Sequence, residues 1–193
     1  MDTRGKKIIL ASNSPRRKEL LAGLGIDFIS DTDTSFTESY SPDTPHIKVP
    51  ALMSEGKSHG FHRPLEPDEI LVTSDTMVLC GMEILGKPVD KNDAIRMLKL
   101  LSGREHQVIT AVTIRDAHKE KTFSVSTFVF FKELSDKEIE YYIDNYHPFD
   151  KAGAYGVQEW IGYIGITGID GSFYNVVGFP TQRFYEELQD FLV

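Results

Sequence analysis

Short apolar runs alternate along this chain with segments whose apolar residues recur every three or four positions. Lys7 to Ala11 is such a run, and its length and polar borders predict a buried strand. Ser14-Pro15 then predicts a helix start, with Ser14 as N-cap and Pro15 at the first helical position, where its missing N–H costs nothing. Leu20, Leu21 and Leu24 supply the core stripe and Gly25 the stop. Ile26 to Ile29 predicts a second strand. Residues 31–45 (DTDTSFTESYSPDTP) are too polar for a core and read as a long loop, a feature that is often functional in compact domains. Residues 46–61 are weakly helical.

Glu69 to Ser74 (EILVTS) predicts a buried strand that ends at Asp75, and Met77 to Leu85 a hairpin turning at Cys80-Gly81. Ala94, Ile95, Leu98 and Leu101 share one face of a helix from about Asn92 to Leu101, stopped by Gly103. Two long strands, His106 to Arg115 and Lys121 to Lys132, are joined by a polar turn. Ser135 caps a helix through about Tyr142, and residues 148–158 form a glycine-containing loop. Two strands are expected around Asp170-Gly171, and Thr181 begins a C-terminal helix. Strands and helices interleaved in this order predict an α/β protein with a mixed sheet.

The 193 residues fit one domain, or one domain with two lobes around a cleft, and suffice for a sizeable core. Cys80 is the only cysteine, which excludes an internal disulfide and a CxxC-type zinc site and makes a reducing compartment, the cytoplasm, the expected home. With 21 basic and 29 acidic side chains the net charge is −8. Such a surface repels a phosphate backbone, so nucleic acid is not an expected partner, although a few converging basic residues can still hold a small anion. No run approaches the ~18 apolar residues of a membrane helix, and the start lacks a signal peptide's apolar stretch, so no membrane partner is expected.

The most informative segment is Leu10-Ala-Ser-Asn-Ser-Pro-Arg-Arg-Lys-Glu-Leu-Leu21. A strand runs into a tight turn and a helix N-terminus, whose free N–H groups attract anions. Ser12 and Ser14 add hydroxyls. Arg16 and Arg17 sit where positive charge opposes the helix dipole, at roughly 0.3–1 kcal/mol each unless a bound anion reverses the sign. The plainer reading is a pair of solvated arginines beside an ordinary cap. Asp75, beyond an apolar strand and followed by Thr76, can activate a water or hold a metal, or can simply face solvent in a turn. Gly86-Lys87-Pro88 alone is a surface turn. Asp150-Lys-Ala-Gly-Ala-Tyr-Gly-Val-Gln158 places charged and amide groups in one loop, with glycines that permit close approach. The six histidines show no metal-ligand spacing, and neither a Ser-His-Asp nor a Cys-His arrangement is present.

Together and in this order, these segments resemble the Maf family of nucleotide pyrophosphatases. Ser74-Asp-Thr, Leu85-Gly-Lys-Pro, Leu101-Ser-Gly-Arg, Val108-Ile-Thr-Ala-Val and Val177-Gly-Phe-Pro add to the first and last motifs, so the likeness covers essentially the whole chain. The resemblance implies an elongated mixed sheet with helices around a central cleft, similar to the inosine triphosphatase family. It also implies hydrolysis of a nucleoside triphosphate between the α- and β-phosphates with a divalent cation, Mg²⁺ or Mn²⁺. By position, Asp75 would be the proton acceptor, with Lys87 beside it in catalysis. Arg16, Thr76 and Gln158 would select substrate, Ser12 and Lys57 would bind it, and Glu38 with Asp75 would hold the metal.

Gln158 sharpens the expectation. The branch resembling dTTP/UTP hydrolases carries Gln here, and the branch acting on 7-methyl-GTP tends to carry Glu. A Gln amide both donates and accepts, matching the carbonyl and N–H of a uracil or thymine edge. The expected activity is therefore a house-cleaning dTTP/UTP pyrophosphatase, extending to modified pyrimidine nucleotides; the alternatives are a nucleotide-binding regulator of cell division without turnover and a 7-methyl-GTP pyrophosphatase. Thr73-Ser74 and Glu159-Trp160 depart from the common family pattern, as do Gly56 and Ser58 around Lys57. A homodimer is expected, though no segment marks its interface.

Overall fold

The computed structural model describes residues 2–193. In chain order the elements are β1 (Lys7–Leu10), α1 (Pro15–Gly23), β2 (Phe28–Ser30), α2 (Val49–His59), β3 (Glu69–Cys80), β4 (Glu83–Leu85) and α3 (Lys91–Leu101). There follow β5 (Glu105–Arg115), β6 (Glu120–Phe131), α4 (Asp136–Tyr146), α5 (Trp160–Gly165), β7 (Ile166–Asp170), α6 (Phe173–Val177) and α7 (Thr181–Phe191). The seven strands form one mixed sheet in the order β2-β1-β3-β5-β6-β7, with β4 on β3. β1 pairs in parallel with β2 and β3, whereas β3–β4 and β6–β7 are antiparallel. This is the α/β arrangement the apolar pattern predicts. Among the described residues no helix is long and apolar enough to cross a membrane.

The chain divides into two compact units. The first takes the chain up to Asp75, Thr110–Val125 and Gly178–Val193; the second takes Thr76–Ile109 and Ser126–Val177. In the first, Ile8 and Leu10 of β1, Leu21 of α1, Val72 of β3 and Phe184 and Leu188 of α7 share one apolar core. In the second, Leu85, Leu98, Val129, Ile143, Tyr155 and Ile161 belong to another. Each fully buried Leu, Ile or Phe contributes about 1.5–3 kcal/mol relative to exposure, so each unit carries its own stabilising centre.

Three segments differ from expectation. β3 does not stop at Asp75 but continues to Cys80, so Asp75 lies within a strand. Its parallel neighbour β1 does end early, at Leu10 opposite Val72, which leaves Asp75 beyond the carboxyl end of that parallel pairing. Cys80 is accordingly a buried strand residue whose thiol donates to Leu100 O at 3.8 Å, and Gly81-Met82 makes the turn. Residues after Gly171 form α6 and not a strand. The Ser172 hydroxyl accepts the Asn175 N–H at 3.3 Å, and Asn175 Nδ2 donates to Val108 O and Thr127 Oγ1, both at 3.0 Å, so one local bond and two to residues distant in sequence override the short apolar run.

Candidate active site

In the first unit the cap forms as the sequence suggests. Ser14 Oγ accepts the Arg17 N–H at 3.4 Å, Pro15 opens the helix, and Ser12 Oγ accepts the Ser14 N–H at 3.2 Å. Arg17 is neither solvated nor spare. Its Nη1 donates to Ser74 O at 2.8 Å and its Nε to Gly178 O at 2.9 Å, which fixes the start of α1 against the residue before Asp75. Removal from water lowers its pKa, against the pull of the Asp75 and Glu38 charges; neighbouring Arg16, half-buried, lowers it further.

Lys57 comes from α2 through an anchorage that the sequence hides. Ser54, one turn earlier, bonds Thr113 Oγ1 at 2.9 Å and lies 3.3 Å from Thr73 Oγ1, while Thr73 Oγ1 donates to Ser54 O at 2.7 Å. Ser58, the next residue, accepts from Arg115 Nε at 2.8 Å. All three hydroxyl residues of the buried knot are fully enclosed, and buried polar groups that are satisfied in this way fix one geometry. The knot gives the Thr73 departure from the family pattern a structural role.

So held, Lys57 Nζ lies 2.6 Å from Asp75 Oδ1 and 2.8 Å from Glu38 Oε1. Lys57 and Asp75 are largely sheltered, and Glu38, from the long polar loop, is the exposed member. The contact uses one Asp75 oxygen, and a carboxylate has about four lone-pair sites, so acceptor capacity remains for a water or a metal. Two carboxylates gathered around one cationic atom are also a fitting donor set for a hard divalent ion, which commonly takes one or two carboxylates and completes its shell with water and substrate phosphates. No group of three or more His, Cys, Asp or Glu side chains poised for a metal occurs among the described residues.

The second unit carries Thr76, Lys87 and Gln158. Thr76, half-buried, follows Asp75 in β3. Lys87 is exposed on a turn whose Gly86 O accepts the Gly153 N–H at 3.0 Å, so the Lys87 turn and the Gln158 loop are latched together. That loop is tightly specified. Gly153 has φ +70°, and a Cβ there would sit 3.2 Å from Val78. Ala154 also has positive φ. Tyr155 Oη meets His106 Nε2 at 2.7 Å in a buried pair, and burial pulls the His106 pKa down to about 4. Gln158 Oε1 is buried and has no hydrogen-bond partner. Leaving an acceptor so costs about 1–3 kcal/mol, which a ligand N–H would recover.

Ser12, Arg16, Glu38, Lys57 and Asp75 therefore belong to the first unit, and Thr76, Lys87 and Gln158 to the second. The partners of Arg17, Tyr142 and Lys151 escape sequence reading, because bonds to carbonyls and to side chains of other segments leave no pattern along the chain. The doubled arginine at the helix start was the one available signal.

The sequence pattern of a family described as Maf-like protein matches residues 7–191. A dTTP/UTP pyrophosphatase from Bacteroides thetaiotaomicron is 48% identical over 95% of this chain and 95% of its own. One from Phocaeicola vulgatus is 49% identical over the same shares, and one from Flavobacterium psychrophilum 47% identical over 93% of this chain and 91% of its own. Among solved structures, a HAM1 protein from Coxiella burnetii is 14% identical, with TM-score 0.40 over 65% of this chain and 73% of that one.

Proposed function

This chain belongs to the Maf family, and on that premise we propose that it hydrolyses dTTP and UTP to the monophosphate and pyrophosphate. The observation that carries the chemistry is Lys57 Nζ set between Asp75 and Glu38, past the end of the β1–β3 parallel pairing. The names of relatives at 48% and 49% identity supply the substrates.

Asp75 accepts the proton of the water whose oxygen adds to phosphorus; the α–β anhydride bond breaks and pyrophosphate departs with its electron pair. Lys57, already bonded to Asp75 at 2.6 Å, orients that carboxylate and offers a cation to the phosphates. Ser12, Arg16 and the α1 N-terminus bind phosphate oxygens, and Lys87 meets charge that develops on the leaving group. Thr76 and Gln158 read the base, Gln158 with an amide that both donates and accepts. Mg²⁺ or Mn²⁺, held by Glu38 and Asp75, would supply charge neutralisation at the phosphates and a more acidic water. A cytoplasmic setting fits the single buried free thiol.

The test is a nucleotide panel with products identified, run with and without Mg²⁺ or Mn²⁺. Metal-dependent release of monophosphate and pyrophosphate from dTTP and UTP, faster than from 7-methyl-GTP, is the expected result. Faster cleavage of 7-methyl-GTP overturns the substrate assignment, and nucleotide binding without release from any member makes the chain a regulator.

A further inference from the structure

Glu159 stands at the N-cap position of α5, yet its side chain makes no capping bond; only its carbonyl does so, accepting the Gly162 N–H at 2.9 Å. The carboxylate folds back over Gly156 instead. A Cβ at Gly156 would lie 2.8 Å from Glu159 Cδ, so a glycine is what admits it. Both carboxylate oxygens are engaged there. Oε1 pairs with Lys151 Nζ at 3.0 Å, and Oε2 accepts the Tyr142 O–H. Tyr142 Oη in turn accepts the Gly156 N–H at 2.9 Å, and Lys151 Nζ also meets Asp150 Oδ1 at 2.8 Å. Tyr142 is fully buried and Lys151 is 8% exposed. Burial, with the adjacent Glu159 charge, pushes the Tyr142 hydroxyl pKa up, so it remains a donor.

Positions 156 and 159 of one loop are thus tied through a tyrosine of α4, and position 151 directly to 159. Gln158 lies between two tied positions, with its Oε1 buried and unpartnered. An acceptor fixed before the ligand arrives costs less ordering on binding and keeps its direction, and small displacements of such a group are expensive.

We propose that Glu159 is a positioning residue for substrate choice: through Tyr142 and Lys151 it holds the loop that presents the Gln158 carboxamide to the pyrimidine edge. The inference rests on Gln158 reading the base, as given above. It concerns recognition and not the proton transfer proposed for Asp75.

The experiment compares the wild-type chain, Glu159→Gln, Tyr142→Phe and the double variant in steady-state kinetics with dTTP, UTP and 7-methyl-GTP, alongside thermal unfolding. Each single variant is expected to raise KM for dTTP and UTP about tenfold, to change kcat less than about threefold, and to narrow the preference over 7-methyl-GTP. The double variant is expected to be little worse than the worse single one, since both act through one bonded unit. Tyr142→Phe keeps the ring volume and carries the test if Glu159→Gln does not fold. A lowered melting temperature with unchanged KM and preference makes the brace structural only and overturns the inference; so does a loss confined to kcat. A wild-type chain that releases no pyrophosphate from dTTP or UTP overturns the proposed activity as well, whereas an active wild type with unaltered variants sinks this inference alone.

Discussion

The two units hold their candidate functional groups by opposite means. In the first, Lys57, Asp75 and Glu38 are formal charges balanced against one another, and the buried groups beneath them are neutral hydroxyls, Ser54, Thr73 and Thr113. In the second, Gln158 is neutral and the charges lie in its support, Lys151, Asp150 and Glu159. The difference follows from the work each would do. A charged reacting group needs partners that adjust as phosphate and metal arrive. An amide that reads a base edge gains from a frame that does not move, and the sheltered Lys151–Glu159 pair, bonded in turn to Tyr142, provides one. Charge chemistry and base choice would then be separable by mutation, and several measurements can break that separation.

The largest expected effect is on turnover. Asp75→Asn keeps the shape and removes the carboxylate proposed as proton acceptor, so kcat should fall at least ~10²-fold with little change in melting temperature. A fall of a few-fold would leave the first unit without its chemistry. Next, Gly153→Ala should destabilise the second unit by roughly 1–3 kcal/mol, because φ is +70° and Val78 stands 3.2 Å from the new methyl; denaturant unfolding measures it.

The pH dependence of stability sharpens the contrast further. His106 is held neutral in the second unit with its pKa pulled to about 4 from 6.5. The unfolded chain therefore binds the extra proton first, and the stability due to neutral burial is complete above pH 6.5 and lost as pH falls towards 4. His106→Gln should flatten the melting temperature across that window. The smallest effect concerns Glu138, whose pKa is lowered to about 2 from 4.5, chiefly by its bond with Lys132 and also by its role in the Ser135 capping box. Its contribution is present above pH 4.5 and fades below, so Glu138→Gln should cost stability at pH 7 and progressively less towards pH 2.

Much of this was legible in the chain. The Ser14-Pro15 cap, the Ser135 cap and the β3–β4 hairpin follow from local chemistry, which acts over a few residues and leaves a pattern. The strand expected after Gly171 failed because Asn175 answers to Val108 and Thr127, partners far away in sequence. The same limit hid the Arg17 clamp and the Tyr142–Glu159 brace. Their bonds join residues 57 and 17 positions apart, with no repeat or spacing to announce them. Asp75 and Gln158 were singled out from their own segments and Lys57 through the motif resemblance; the bonds that hold them in the structure were not legible.

The most direct measurement is one kinetic matrix: the wild-type chain, Asp75→Asn and Gln158→Glu, each against dTTP, UTP and 7-methyl-GTP. Asp75→Asn should depress kcat for all three by a similar factor and keep their order. Gln158→Glu should reorder them, with 7-methyl-GTP rising relative to dTTP and UTP. Reordering by Asp75→Asn, or a uniform loss from Gln158→Glu, would contradict the division of chemistry from choice.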